Sequence, residues 1–264
     1  MELAILLTAT VKVQAMGGNF TVAERAKMYQ ETLKYYAQKI GKKYPIIFLE
    51  NSDYNLTEFR RQFDSLLDIE WIQFSPFDSI PFLPQKGKGY NEYLMIKEGI
   101  LQSEKIKSCT HFLKITGRYS MLNILKIIKE IERRANDKVF FGDVKDTNIY
   151  KMMGLTNEGH WGDSRFWVAN VDFYKKNMAD CYLSMDDSRY GCWAEHYFLN
   201  LSRKYRCNKK FIFRFHHQVQ FDGVSGTTTS ELLAKGKNRQ NTMFNRIKNQ
   251  IRYMLRFLFP MVWF

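Results

Sequence analysis

Short apolar runs alternate with segments of helical periodicity along the first half of the chain, and this alternation most constrains its fold. The apolar runs predict strands at 3–11, 45–50, 69–74, 111–115 and 139–141. Between them, apolar residues recur every three or four positions, as they do along 22–40. Strands that alternate with helices predict an α/β fold, with a Rossmann-type, mostly parallel sheet and helices on both faces.

Two helices carry start signals in the sequence. Thr21 and Glu24 have the spacing of a capping box, which predicts a helix over 22–40. Ser120 is predicted to cap a later helix, whose apolar face would carry Met121, Leu125, Ile128 and Ile131. Other helices are predicted at 55–66, 90–106 and 192–201, and further strands at 165–171 and 210–215.

The charge balance of the chain favours an anionic partner. The 264 residues carry a formal net charge of +13, which suits nucleic acid, anionic lipid or a phosphorylated ligand. None of the four cysteines has C-x-x-C spacing, so a zinc site is not expected.

The expected compartment is the cytoplasm. The apolar start of the chain follows an acidic residue, Glu2, where a signal peptide would carry basic residues. No apolar window reaches the ~18 to 20 residues that a spanning helix needs.

Residues 235–264 differ in composition from the preceding residues 1–234, which we take as one globular domain. Seven basic residues and no acidic residue occur in this tail. Apolar residues at helical spacing are Met243, Ile247, Ile251, Met254 and Leu258, and a basic stripe is formed by Lys248, Arg252 and Arg256. This pattern predicts an amphipathic helix in an anionic membrane interface. The alternatives are a helix packed on the domain and a nucleic-acid-binding helix, and the apolar aromatic end of the tail disfavours the second.

Two basic, glycine-containing segments follow predicted strands, where open α/β sheets bind their ligands. The first is the run KGKGYNE at 86–92, whose glycines and helix start would suit a phosphate, unless it is a surface turn. The second is KITGR at 114–118, where Arg118 could hold a phosphate or carboxylate with two hydrogen bonds, or cap a neighbouring loop.

Acidic residues supply candidates for a general base. Glu195 is the first choice and Asp187 the second, because each flanks or begins a predicted helix in the second half of the chain. Asp143 and Asp146 are not a D-x-D pair, so the spacing of a metal site is not evident.

In this order, the motifs resemble bacterial capsule and lipopolysaccharide glycosyltransferases. The segments that carry the resemblance are 6–10, Arg25 with Tyr29, 86–92, 112–119, 186–198 and the hydroxyl-rich run 224–230. The resemblance covers about residues 2–230. It implies a GT-A-like fold, a nucleotide-sugar donor and a lipid-linked saccharide acceptor in capsule, O-antigen or lipopolysaccharide biosynthesis.

The resemblance also implies positions for the donor. Thr8, Thr10 and Arg25 would surround the base and ribose, with Asn51 nearby. The residues expected beside the nucleotide are Lys86, Gly87, Gly89 and Glu92. The residues expected where most GT-A enzymes keep a D-x-D metal motif are Lys114, Thr116, Gly117 and Arg118.

Without an acidic pair, Lys114 and Arg118 would offset the charge of the leaving diphosphate. We therefore expect a transferase without a metal cofactor, with Mg²⁺ or Mn²⁺ as the alternative. Residues 235–264 are expected to hold it peripherally on the anionic inner leaflet of the membrane. It is not expected to bind nucleic acid. The rival hypotheses are a nucleotidyltransferase or sugar-phosphate transferase, which should show a metal-binding acid pair, and a non-enzymatic membrane-binding module.

Overall fold

The structure is a computed structural model that describes residues 2–13, 20–75, 78–148, 152–154, 161–223, 243–260 and 262–263. The hydroxyl-rich run 224–230 and residues 235–242 of the tail lie outside these ranges. The strands are β1 Leu3–Ala9, β2 Ile46–Glu50, β3 Ile69–Gln73, β4 His111–Thr116, β5 Ser120–Met121, β6 Phe140–Phe141, β7 Val144–Lys145, β8 Thr147–Asn148, β9 Trp161–Gly162, β10 Phe166–Asn170, β11 Phe211–Ile212, β12 Phe221–Asp222 and β13 Val262–Trp263. The α-helices are α1 Val22–Lys39, α2 Thr57–Phe63, α3 Gly87–Gln102, α4 Ile124–Arg134, α5 Val171–Asn177, α6 Ala194–Lys204 and α7 Met243–Leu258.

A seven-stranded sheet forms the centre of the molecule, in the order β11-β6-β10-β4-β1-β2-β3. β10 is antiparallel to both of its neighbours, and the other pairs are parallel. The predicted mostly parallel α/β sheet is therefore confirmed. The carboxyl ends of β1, β2 and β4 meet at one edge, and the amino end of β10 joins them there.

Helices cover both faces of the sheet, as predicted. Alternate residues of β1 point to opposite sides, so Ile5 and Leu7 pack in one core and Leu6 in the other. The first core contains residues of α1, α2 and α4, and the second contains residues of α3, α5 and α6.

The start of α1 confirms the predicted capping box. The Thr21 hydroxyl accepts a hydrogen bond from the Glu24 amide at 3.2 Å, and the Glu24 carboxylate accepts one from the Thr21 amide at 2.7 Å. Such a cap stabilises a helix by ~1 kcal/mol.

The predicted start of α4 is wrong. Ser120 belongs to β5, which pairs with β12, and the Met121 amide donates to the Tyr36 hydroxyl at 3.1 Å. The helix begins three residues later, after Asn123. Its apolar face is shifted accordingly, so Leu125 is exposed and the buried apolar positions are Ile124, Ile127, Ile128 and Ile131.

The tail helix α7 packs on the domain by one side only. Arg256 is buried and donates to the Phe215 carbonyl at 3.1 Å and to the Asp143 carboxylate at 3.4 Å. The prediction that Arg256 belongs to a basic stripe facing lipid is therefore wrong. The predicted apolar stripe faces outward, with 47 to 79% exposure for Ile247, Ile251, Leu258, Met254 and Met243. Within the described ranges, no helix is both long enough and apolar enough to cross a membrane.

Candidate functional site

A cleft of about 540 Å³ opens at the edge where β1, β2 and β4 end. The predicted site residues that line it are Thr8, Thr10, Arg25, Asn51, Gly87, Gly89, Glu92, Thr116, Arg118, Asp187 and Glu195. Three predicted site residues, Lys86, Lys114 and Gly117, are not among its lining residues. The sheet topology thus brings most of the candidates together, although they are far apart in the sequence.

Gly117 shapes the cleft through its backbone. Its amide donates to the Thr8 carbonyl at 2.8 Å, and a Cβ placed on it would lie 2.7 Å from that oxygen. Any side chain would therefore push the turn after β4 away from β1. This close approach fixes where Arg118 enters the cleft.

Lys114 lies in the floor beneath the cleft. It is fully buried, with its ammonium 2.8 Å from the Glu92 carboxylate and 2.8 Å from the Ser164 carbonyl. The Thr8 hydroxyl also donates to Glu92, at 2.6 Å. Burial opposes ionisation of Glu92, but the charge and hydrogen bond of Lys114 outweigh it and lower the Glu92 pKa. This ion pair corrects the expectation that Lys114 faces a bound diphosphate.

Two other cations do face the cleft. The Lys88 ammonium and the Arg118 Nε are buried, and neither atom has a hydrogen-bond partner among the described residues. The Nη2 of Arg118 donates to the Tyr119 hydroxyl at 2.9 Å. Burial lowers the pKa of Lys88, and the nearby charges of Arg118 and Arg25 lower it further, although the Asp187 carboxylate offsets part of this. Buried cations that repel one another are stabilised by an anion between them.

The structure distinguishes the two lysines of the KGKG run. Lys86 does not line the cleft, and its ammonium lies 4.9 Å from the ring centre of Tyr90. The run 86–92 was predicted beside the phosphate as a whole, but Lys86 and not Lys88 was named as a site residue. The sequence analysis placed the start of α3 at residue 90, whereas the helix begins at Gly87 and its phase directs Lys88 inward.

Asp187 occupies the amino end of α3. Its carboxylate accepts hydrogen bonds from the amides of Lys88 at 2.6 Å and Gly89 at 3.3 Å. Gly87 has a φ of +85°, and a Cβ there would lie 2.4 Å from Asp187. The helix terminus predicted to receive a phosphate is therefore filled by a carboxylate of the chain itself, and this engagement makes Asp187 the weaker candidate base.

Glu195 lies in the first turn of α6 and faces the cleft. Its carboxylate accepts a hydrogen bond from the Ser164 hydroxyl at 2.7 Å. One hydroxyl contact orients the carboxylate without neutralising it, so Glu195 has the chemistry of a proton acceptor.

Ser164 and Arg165 also line the cleft, and the sequence analysis missed both. They precede β10, which was predicted as a strand without a direction. Because β10 is antiparallel, its amino end reaches the carboxyl edge of the sheet. Arg165 is held there by Asp163, with Nε 2.9 Å from the carboxylate.

The acidic groups of the cleft do not form a donor set for a divalent cation. Glu92 is paired with Lys114, Asp187 caps α3, and Glu195 accepts from Ser164. In the part of the chain that the structure describes, no three His, Cys, Asp or Glu residues are grouped to hold a metal ion.

The fold and the cleft define the chain as an α/β protein of the kind that binds ligands at the carboxyl edge of a mostly parallel sheet. No protein-family model matches the sequence, and no curated protein is detectably similar to it in sequence.

Solved structures resemble the chain at low sequence identity and with TM-scores below 0.5. A candidate nucleotide-diphospho-sugar transferase from Desulfovibrio desulfuricans G20 is 9% identical, with a TM-score of 0.49 and 100% of both chains covered. Mouse xyloside xylosyltransferase 1 is 10% identical, with a TM-score of 0.44 and coverage of 80% of this chain and 84% of that one. The 4-diphosphocytidyl-2C-methyl-D-erythritol synthase of Anaerococcus prevotii DSM 20548 is 11% identical, with a TM-score of 0.43 and coverage of 80% and 85%.

Proposed function

We propose that the chain is a glycosyltransferase that moves a sugar from a nucleotide-sugar donor to a lipid-linked saccharide, in the synthesis of capsule, O-antigen or lipopolysaccharide. The observation that carries the proposal is the buried Lys88 ammonium and Arg118 Nε, which have no hydrogen-bond partner among the described residues, in a cleft at the carboxyl edge of the sheet. A diphosphate supplies the negative charge and the hydrogen-bond acceptors that these groups need.

The cleft has the groups for displacement at an anomeric carbon. An acceptor hydroxyl attacks that carbon, and the bond to the diphosphate oxygen breaks with its electron pair staying on the diphosphate. Glu195 takes the hydroxyl proton. Lys88 and Arg118 stabilise the charge that develops on the leaving group.

We also propose that α7 holds the enzyme on the anionic inner face of the plasma membrane, where a lipid-linked acceptor would be presented. The exposed apolar stripe of the helix and the excess of basic residues in 235–264 support this. Attachment would keep the cleft close to its acceptor.

Thermal unfolding of the full chain with UDP-, GDP-, CMP- and dTDP-sugars tests the donor site. One donor class should raise the midpoint, because a ligand at 100 times its Kd stabilises the folded state by about 2.7 kcal/mol. Lys88→Met should abolish the shift, and the matched variant Lys86→Met should keep it. The proposal fails if no nucleotide sugar stabilises the chain, or if the chain instead consumes a nucleoside triphosphate and releases pyrophosphate.

A further inference from the structure

Three aromatic rings are clustered at the mouth of the cleft. Tyr190 is 89% exposed and Trp193 is 39% exposed. The ring centre of Trp193 lies 5.7 Å from that of Tyr190 and 5.2 Å from that of His196. Trp193 and Glu195 both line the cleft. Exposed aromatic rings that cluster beside a cleft are typical of a ligand-binding surface.

The segment that carries these rings is braced by its own hydrogen bonds. The Asp186 amide donates to the Cys192 carbonyl at 2.8 Å, and the Arg189 amide donates to the Asp186 carbonyl at 3.1 Å. The indole of Trp193 donates to the Asp187 carbonyl at 3.4 Å, and Asp187 is itself anchored on α3. The backbone of the segment and the indole of Trp193 are therefore held before a ligand arrives, which reduces the entropy lost on binding.

We propose that Tyr190 and Trp193 form the acceptor subsite and bind the apolar face of a sugar ring. The inference rests on the proposed function, since it places an acceptor hydroxyl beside Glu195. A pyranose has a face of C–H groups and an edge of hydroxyls. The electron-rich faces of aromatic rings attract the C–H groups.

The surroundings of the rings favour a saccharide over a lipid chain. Arg189 has a side chain that is 76% exposed and pairs with Asp186, so charged groups border the rings. A lipid chain gains most from continuous apolar surface, whereas sugar hydroxyls can bond to these charged neighbours. The site therefore suits a ligand that is apolar on one face and polar at its edges.

The experiment measures binding of the labelled full chain to a printed array of bacterial oligosaccharides. The wild-type chain should bind one group of saccharides, and Trp193→Ala should weaken that binding about tenfold or more, as truncation of an anchoring aromatic does. Tyr190→Ala should act in the same direction, and Trp193→Phe should retain part of the affinity. The matched control is Trp161→Ala, because Trp161 is 42% exposed and is not among the residues that line the cleft.

A second measurement, the thermal shift with nucleotide sugars, separates this inference from the proposed function. Trp193→Ala should keep that shift. If it loses the shift instead, the rings belong to the donor site and the inference is overturned. It is also overturned if no saccharide binds, if both ring variants bind like wild type, or if the rings bind phospholipid vesicles instead. If saccharides bind in a manner that depends on the rings, but no nucleotide sugar shifts the thermal midpoint, the proposed transferase function is contradicted and the saccharide site is still supported.

Discussion

At the scale of single residues, hydrogen bonds distinguish two carboxylates of the cleft, Asp187 and Glu195, that the sequence alone does not distinguish. Asp187 accepts two backbone amides of α3, whereas Glu195 accepts one serine hydroxyl. A carboxylate that already accepts two backbone amides has fewer free lone pairs with which to accept a hydroxyl proton. The hydrogen bonds therefore assign Glu195 to proton transfer and Asp187 to the architecture of the cleft.

Substitution of each carboxylate by its amide tests this assignment. Glu195→Gln should lower turnover by about 10²- to 10⁴-fold and leave the thermal shift with the donor unchanged. Asp187→Asn should instead lower the free energy of unfolding by roughly 1 kcal/mol, because an amide caps α3 less well near the helix dipole. Turnover and thermal unfolding of both variants check this, and full activity of Glu195→Gln would contradict it.

Lys88 should make anion binding depend on pH. Its pKa is lowered in the free protein by burial and by Arg118 and Arg25, and a bound diphosphate would raise it again. At a pH between the Lys88 pKa of the free protein and that of the anion-bound protein, Lys88 takes up a proton when the anion binds. The Kd for inorganic pyrophosphate should therefore rise as the pH rises through that window.

Calorimetry with pyrophosphate at a series of pH values measures this dependence. Pyrophosphate itself titrates, so the slope of log Kd against pH is compared with the slope for Lys88→Arg. This variant keeps the charge but does not titrate in this range. The wild-type slope should be the steeper one. Equal slopes in the two proteins would show that Lys88 does not contact the anion.

At the scale of elements, strong local patterns predicted the fold well. The capping box and the apolar face of α1 are determined by neighbours within one helix turn, and both are present in the structure. The direction of β10 depends on its sheet partners, and no local signal in 165–171 indicates it. For this reason Ser164 and Arg165 were missed. Lys88 was missed because the phase of α3 depends on where the helix begins, and Asp187, 99 positions along the chain, caps that start.

The tail helix α7 carries a prediction of its own. Ile251→Glu should weaken binding to vesicles that contain anionic phosphatidylglycerol, because it places a charge in the exposed apolar stripe. Leu66→Glu is the matched control, since Leu66 is a 50% exposed leucine in the turn that follows α2. Co-sedimentation with anionic and with neutral vesicles measures the effect. An equal loss in the two variants, or no binding by the wild-type chain, would contradict a membrane role for the tail.

At the scale of the whole molecule, charge is concentrated where a leaving group would need it. The cleft is lined by five basic side chains against three acidic ones, and the acidic ones are Glu92, Asp187 and Glu195. Lys114 beneath the floor compensates Glu92, so the cleft keeps an excess of positive charge. The motifs predicted an excess of positive charge, but they did not show which cation is neutralised. The Lys114–Glu92 pair joins β4 to α3, so it depends on how the two elements pack.

If the chain is the proposed transferase, this distribution of charge predicts how it responds to loss of metal. A divalent cation in a sugar transferase would neutralise the diphosphate, and in the proposed site Lys88, Arg118 and Arg25 would supply that charge from the chain. Turnover should therefore be undiminished in excess EDTA, and Mn²⁺ or Mg²⁺ should not increase it. Lys88→Met should lower turnover strongly under both conditions. Restoration of the EDTA-treated enzyme by Mn²⁺ alone would show instead that a cation binds among the cleft carboxylates, which would require Glu92 or Asp187 to leave its present partners.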